Sequence, residues 1–400
     1  MAFGHQRTES CRLLLREIAT AGPIPRIDLS ERTGISRATV TTITADLLRG
    51  GLIEEVQRAT DPDARRGRPK VDLKISGDAH HVAGIKVSDA SISYVLMDFD
   101  GNEKAAIDRP LASGRHAPDA LAADISRGID GLAAAAGCPR EAITGVGVGL
   151  SGLMQAETGL VYWSPSLNAR NINFRDCLRS HLGRPVFIDN DANVVAMAEL
   201  KFGMGRDSRD FIVITIESGV GMGIVLGEQL YRGTRGSGGE FGHTKVQLEG
   251  ALCRCEQRGC LEAYVADYAL HREAVSVGIV DHSMATEEAV KQVLLSARQG
   301  NAAARSVVTR AGRMFALGLA NLVNIFDPEL IILAGAQMQS DHLYAKAVMD
   351  EMRKSTVEID KPPPEVVVHK WGNRMWALGA AAYALEFVQD IAVEELSDAP

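Results

Sequence analysis

No stretch of the sequence approaches the run of about 18 consecutive apolar residues that a membrane-spanning helix requires, which excludes that class of protein. The opening residues, MAFGHQRTES, lack the apolar core of a secretory signal, so a cytoplasmic location is expected. Cysteine is also scarce: 6 in 400 residues are too few for a disulfide framework. Cys11, Cys138 and Cys177 are scattered, whereas Cys253, Cys255 and Cys260 lie close together, and such clustering asks for a metal. Positive charge is in deficit, the net being −8, but the deficit is uneven. Residues 1–75 hold 13 Lys and Arg against 10 Asp and Glu, and the remainder holds 30 against 41, so any polyanion-binding part lies at the front. The length exceeds one ordinary core, and 46% apolar with 24% charged residues fits a soluble globular protein of two or three domains.

The front reads as helix, helix, tight turn, helix. In ESCRLLLREIAT, Leu13, Leu14 and Ile18 recur at helical spacing, and the segment stops at Ala21-Gly22-Pro23. RIDLSERTG is a second short helix ended by Gly34, and Ser36 is placed to cap a third, RATVTTITADLLRGG. This is the pattern of a DNA-binding helix-turn-helix, whose last helix enters the major groove. Val40, Ile43 and Leu47 supply a buried stripe, which leaves Arg37, Thr39, Thr41 and Thr42 as candidate base contacts. A polar loop with Arg65, Arg66, Arg68 and Lys70 then separates LIEEV from the strand VDLKI, completing a winged helix whose cationic loop suits phosphates or a narrow minor groove. A plain helical cap with a solvated linker would leave the wing and the charge asymmetry unexplained.

From residue 82 strand and helix signals alternate. VAGIKVSDASISYVLMDFDG and FIVITIESGVGMGIVLG read as hairpins, AITGVGVGLSG and RPVFIDNDAN as buried strands, with helices expected around 287–299, 302–325, 341–353 and 375–390. An α/β architecture with mixed sheets follows. Two strand-plus-glycine loops more than a hundred residues apart, with LAG later, are the layout of the actin-like sugar-kinase fold. GGEFGH (238–243), CRCEQRGCLE (253–262) and FIDNDAN (187–193) make the chain resemble the ROK family, named for repressors, open reading frames and kinases. With its winged helix, it is similar to the NagC- and xylose-repressor-like branch of that family. The division expected is residues 1–76 for the winged helix-turn-helix and 77–400 for a two-lobed sugar-binding unit. Its first lobe would span about 80–190 plus the C-terminal helix, its second about 191–375.

His243 with Cys253, Cys255 and Cys260 forms a closed imidazole and thiolate set for structural Zn²⁺, which thiolates favour over Mg²⁺ or Ca²⁺. Arg254, Glu256, Gln257 and Arg258 make that loop too polar for three merely buried thiols. Glu256 stands where the resemblance expects glycine, a departure that strains the loop without removing a ligand.

The resemblance also implies a sugar pocket of Asn190, Asp191, Glu240, His243 and Glu262, with Gly152 lining it through its backbone. Such convergence is needed because each desolvated hydroxyl left unpaired costs about 1–3 kcal/mol. Ser164-Pro165-Ser166-Leu167 replaces the family's Ser-Pro-Asn-Leu, which alters one hydroxyl contact.

Kinases of the family open their first hairpin with Gly-x-Asp-x-Gly-Gly-Thr, but here Lys86 replaces the acid and Ser88, Asp89 and Ala90 replace Gly-Gly-Thr. The second phosphate loop has become Glu217-Ser218-Gly219-Val220-Gly221-Met222-Gly223, and Ala334 stands where the nucleotide loop has glycine. Phosphoryl transfer needs that cradle, so the expectation is no enzyme, with Asp191 a vestigial base position. The reading is a sugar-responsive regulator, a repressor that binds operator DNA as a homodimer or dimer of dimers and is changed by a sugar or sugar phosphate. Its rivals are an active sugar kinase with an appended DNA-binding domain, and a regulator controlled by protein docking.

Overall fold

A computed structural model describes residues 2–57, 71–335, 338, 340–357, 360, 362–369 and 374–398, so Arg65, Arg66 and Arg68 of the basic loop lie outside the described residues. At the front, α1 (Ala2–Ala21), α2 (Arg26–Thr33) and α3 (Arg37–Arg49) precede an antiparallel pair, β1 (Ile53–Gln57) and β2 (Val71–Ile75). Gly34 ends α2 in the left-handed conformation, and Ser36 caps α3 by accepting from Thr39 N–H. Leu14, Ile18, Leu29, Val40, Ile43, Leu47 and Leu73 fill the core between them. The first helix begins at Ala2, earlier than its apolar periodicity suggests.

Two five-stranded sheets of the same order follow. The first is built from β3 (His81–Val87), β4 (Ser91–Asp98), β5 (Glu103–Pro110), α4 (Pro118–Ala136) and β6 (Ile143–Leu150). It continues through a small sheet of β7 (Leu153–Gln155), β8 (Leu160–Trp163) and β9 (Ile172–Asn173), then α5 (Phe174–Leu182) and β10 (Val186–Asn190). The second comprises α6 (Asp191–Phe202), β11 (Phe211–Ile216), β12 (Val220–Leu226), β13 (Gln229–Tyr231), α7 (Glu262–Val265), α8 (Asp267–Ser276), α9 (Thr286–Arg298) and α10 (Ala302–Phe326). It closes with β14 (Leu330–Ala334), α11 (Lys346–Ser355) and β15 (Glu365–Val368), and α12 (Arg374–Asp398) follows. The orders are β10-β6-β3-β4-β5 and β13-β12-β11-β14-β15. In each, three strands meander antiparallel and two more join parallel after helical crossovers.

Helix α12 returns to the first sheet and packs on β3, β4, β6, β10 and α6. Close approach is possible only because glycines face it: a Cβ on Gly84 would lie 1.9 Å from Ala377 O, and one on Gly147 would lie 1.8 Å from Ala380 O. The far end of the same helix meets the front unit. Val388, Ala392 and Val393 share a core with α1, and Arg12 pairs with Asp390 and Glu394. Residues 341–343 form a separate 3₁₀ turn, so α11 starts later than expected, while α12 runs past 390.

Candidate functional site

The FIDNDAN segment bridges the two lobes. Strand β10 ends at Asn190, whose side chain caps α6 by accepting from Ala192 N–H and donates to Gly152 O at 2.9 Å. Gly152 has φ +129°, and a Cβ there would lie 2.2 Å from Trp163 O, so only glycine fits. Asp189 is buried; it accepts from Asn193 Nδ2 at 2.8 Å and from Arg232 Nε at 2.7 Å. Burial pushes its carboxyl up and Arg232 opposes that, so Asp189 serves as an internal anchor.

Asp191, at the first position of α6, is held by the first lobe. Lys86 Nζ donates to its Oδ2 at 2.7 Å, Ser151 Oγ donates to the same oxygen, and Ala192 N–H reaches Oδ1. Burial pushes the carboxyl up, but Lys86, Ser151 and Ala192 outweigh it and hold it below the usual carboxylate range. A general base works best with a pKa near the working pH, whereas this carboxylate is held in its charged form, paired with Lys86 and accepting three hydrogen bonds. Sequence reading noted the lysine but missed the pair. The signal was a lone cation in the otherwise apolar strand VAGIKV. Lys86 also lies 5.2 Å from the Trp376 ring of α12.

On the second lobe Glu240, His243, the three cysteines and Glu262 adjoin. His243 Nδ1 is 3.7 Å from Cys253 Sγ, Cys255 Sγ is 3.7 Å from Cys260 Sγ, and all four donor atoms lie within 4.8 Å of one another. Tetrahedral zinc, with bonds of about 2.3 Å to sulfur and about 2.0 Å to nitrogen, separates neighbouring donors by about 3.5–3.8 Å, so the set fits. Lys245 Nζ lies 3.0 Å from Cys260 Sγ, a cation placed to offset three thiolates. Glu256 sits at φ +70°, the left-handed conformation that glycine adopts at least cost, which locates the strain expected there.

With Nδ1 turned to the sulfurs, His243 Nε2 points toward Glu240, 3.8 Å away. Burial pushes the Glu240 carboxyl up, His243 opposes it, and Asp191 and Glu262 add to the rise. Glu262 is buried; its Oε2 accepts from Val220 N–H at 3.2 Å, and its Oε1 lies 3.5 Å from Cys253 Sγ. Gly152, Asn190 and Asp191 thus adjoin on one side, and Glu240, His243 and Glu262 adjoin on the other, with Asp191 close enough to act on the Glu240 carboxyl.

The phosphate-type turns look different. Ser88 N–H closes the first hairpin onto Ser91 O at 2.9 Å, leaving Asp89 and Ala90 exposed. A cavity of about 350 Å³, within the range of small-molecule sites, opens between this turn, Arg115 and Pro165-Ser166. In that last segment Ser164 is buried and accepts from Ser166 N–H. In the second hairpin, a Cβ on Gly221 would lie 2.9 Å from Ala192 Cβ, and one on Gly223 would lie 2.6 Å from Ala192 O, so these glycines let α6 rest on β12.

In the front unit, Arg37, Thr39, Thr41 and Thr42 are all exposed on α3. Thr41 and Thr42 hydroxyls donate to the carbonyls of Arg37 and Ala38, which leaves their oxygens as acceptors.

The ROK family pattern matches residues 82–386 and the MarR family pattern matches residues 8–66. The xylose repressor of Caldicellulosiruptor bescii is 26% identical over 383 residues, covering 93% of this chain and 94% of that protein. The glucokinase of Streptomyces coelicolor is 30% identical over 320 residues, covering 76% of this chain and 97% of the enzyme. A solved ROK family transcriptional regulator, a homologue of the E. coli MLC protein, superimposes with a TM-score of 0.83 at 25% identity, covering 99% of this chain and all of that one. With its sugar-kinase-like lobes and a MarR-type winged helix-turn-helix in front of them, the chain belongs to the ROK family.

Proposed function

We propose that the protein is a sugar-responsive transcriptional regulator, a repressor whose hold on operator DNA changes when a sugar occupies the cleft between its lobes. The observation that carries this reading is the Lys86–Asp191 pair. It keeps the hydroxyl-binding carboxylate while disabling it as a base. A sugar hydroxyl would compete with Lys86 for Asp191, and Asn190, Glu240, His243 and Glu262 would take neighbouring hydroxyls. Asp191, Glu240 and Glu262 oppose a single lysine there, a balance that favours an uncharged sugar over a sugar phosphate.

Helix α12 supports the coupling, because Trp376 at one end lies beside Lys86 and Asp390 at the other holds Arg12 of α1. A shift of that helix re-aims α3, and in a homodimer or dimer of dimers it would re-space two heads over half-sites about one or more helical turns apart. Arg37, Thr39, Thr41 and Thr42 would read bases, and Arg65, Arg66 and Arg68 would follow the backbone. His243, Cys253, Cys255 and Cys260 would hold structural zinc and fix the loop that carries Glu240 and Glu262.

The test is calorimetry with neutral monosaccharides and their phosphates, with and without ATP, alongside operator binding by the full chain. Sugar binding that needs no ATP and weakens operator binding supports the reading. ATP turnover with a bound sugar would establish the kinase alternative, to which the glucokinase likeness gives weight. Regulation that persists with no sugar affinity would favour control by a docked protein.

A further inference from the structure

Between α4 and α5 of the first lobe, a second group of unlike donor atoms converges. Asp119 lies in the first turn of α4. Cys177 and His181 lie one turn apart on α5, a spacing that puts both side chains on one face. Both reach the same carboxylate oxygen: Cys177 Sγ is 3.5 Å from Asp119 Oδ1 and His181 Nε2 is 3.4 Å from it. The three donor atoms lie within 4.8 Å of one another.

We propose that Asp119, Cys177 and His181 form a second metal site, for a zinc-class ion. Bonds of about 2.3 Å to sulfur and about 2.0–2.2 Å to nitrogen and oxygen place tetrahedral donors about 3.3–3.6 Å apart, the separations seen from Asp119. A thiolate and an imidazole beside one carboxylate select zinc-like ions over Mg²⁺ or Ca²⁺. Three protein ligands leave the fourth position to water or a small anion, in contrast to the closed four-ligand set near the cleft. Asp119 is largely open to solvent, so this ion exchanges readily and its occupancy follows the available metal. When filled, the site ties α4 to α5, the two helices that pack together beside the first sheet.

The experiment uses the full-length protein kept reduced, exposed to a mild chelator and then titrated with Zn²⁺ against a chromophoric competitor, and separately with Co²⁺. Wild type should take up one weak equivalent that Cys177→Ser, His181→Ala and Asp119→Asn each lose. The cobalt spectrum should lose its weak-site sulfur-to-metal absorption in Cys177→Ser but keep it in the control Cys138→Ser. The readout is the difference between wild type and variant, so it holds whether or not the cleft-side cluster is filled. Equal zinc stoichiometry in wild type and in the Cys177→Ser, His181→Ala double variant would overturn the proposal. So would a cobalt spectrum that Cys177→Ser leaves unchanged.

Discussion

The two five-stranded sheets share one strand order, yet they hold their halves of the cleft by different chemistry. On the first, a buried lysine reaches from β3 to the carboxylate that opens α6. On the second, a loop too polar to pack as core is gathered around three sulfurs and an imidazole. A shared topology therefore sets where a site can sit, and the side chains at the strand ends and in the loops decide what it does. One half depends on an internal ion pair and the other, in our reading, on a metal.

The sharpest way to break that contrast is Cys260→Ser. Removing one ligand of a structural set should abolish tight metal binding, and amide exchange should rise across 238–262 while 81–98 stays protected. If the two regions loosen together, the metal does not act locally.

Next in size is Lys86→Met, which leaves the half-buried Asp191 without its cation and should cost about 2 kcal/mol in chemical denaturation. The pH dependence should change with it. In the native chain Asp191 lies below its unfolded value, so its contribution is complete above about pH 4 and is lost as pH falls through the depressed native value. In the variant burial is unopposed by Lys86, the carboxyl moves up instead, and stability at this site should rise on acidification.

Asp191→Ala should weaken sugar binding about 10- to 100-fold, the value of one hydrogen bond to a charged group. Operator binding without sugar should stay intact in a gel-shift titration. Smallest is Glu256→Gly, which relieves one left-handed residue in the second lobe and should stabilise it by about 1 kcal/mol in thermal denaturation, leaving the first lobe unchanged.

What the sequence made legible was local. Ser36 and Gly34 announce the ends of α3 and α2 because a cap and a left-handed residue act within a few positions. The metal set was readable because its donors lie within 18 residues. Lys86 and Asp191 are 105 positions apart, and no periodicity links them. Nor did composition reveal that α12 closes the core of the front unit, since those residues are apolar for two partners at once. The glycines of the second hairpin were open to misreading: they look like a phosphate loop, and two of them serve helix packing.

Helix α12 also sets an order of assembly. The chain leaves the ribosome from its amino end, so α1 is synthesised long before Val388, Ala392 and Val393 exist to cover it. Until they arrive, Leu15 lacks part of the core that it shares with Val388 and Val393, and Arg12 has no Asp390 or Glu394 to pair with. A nascent or truncated chain would therefore carry a DNA-reading head with an uncovered apolar flank. Such a product would expose apolar surface of the kind that chaperones and proteases bind.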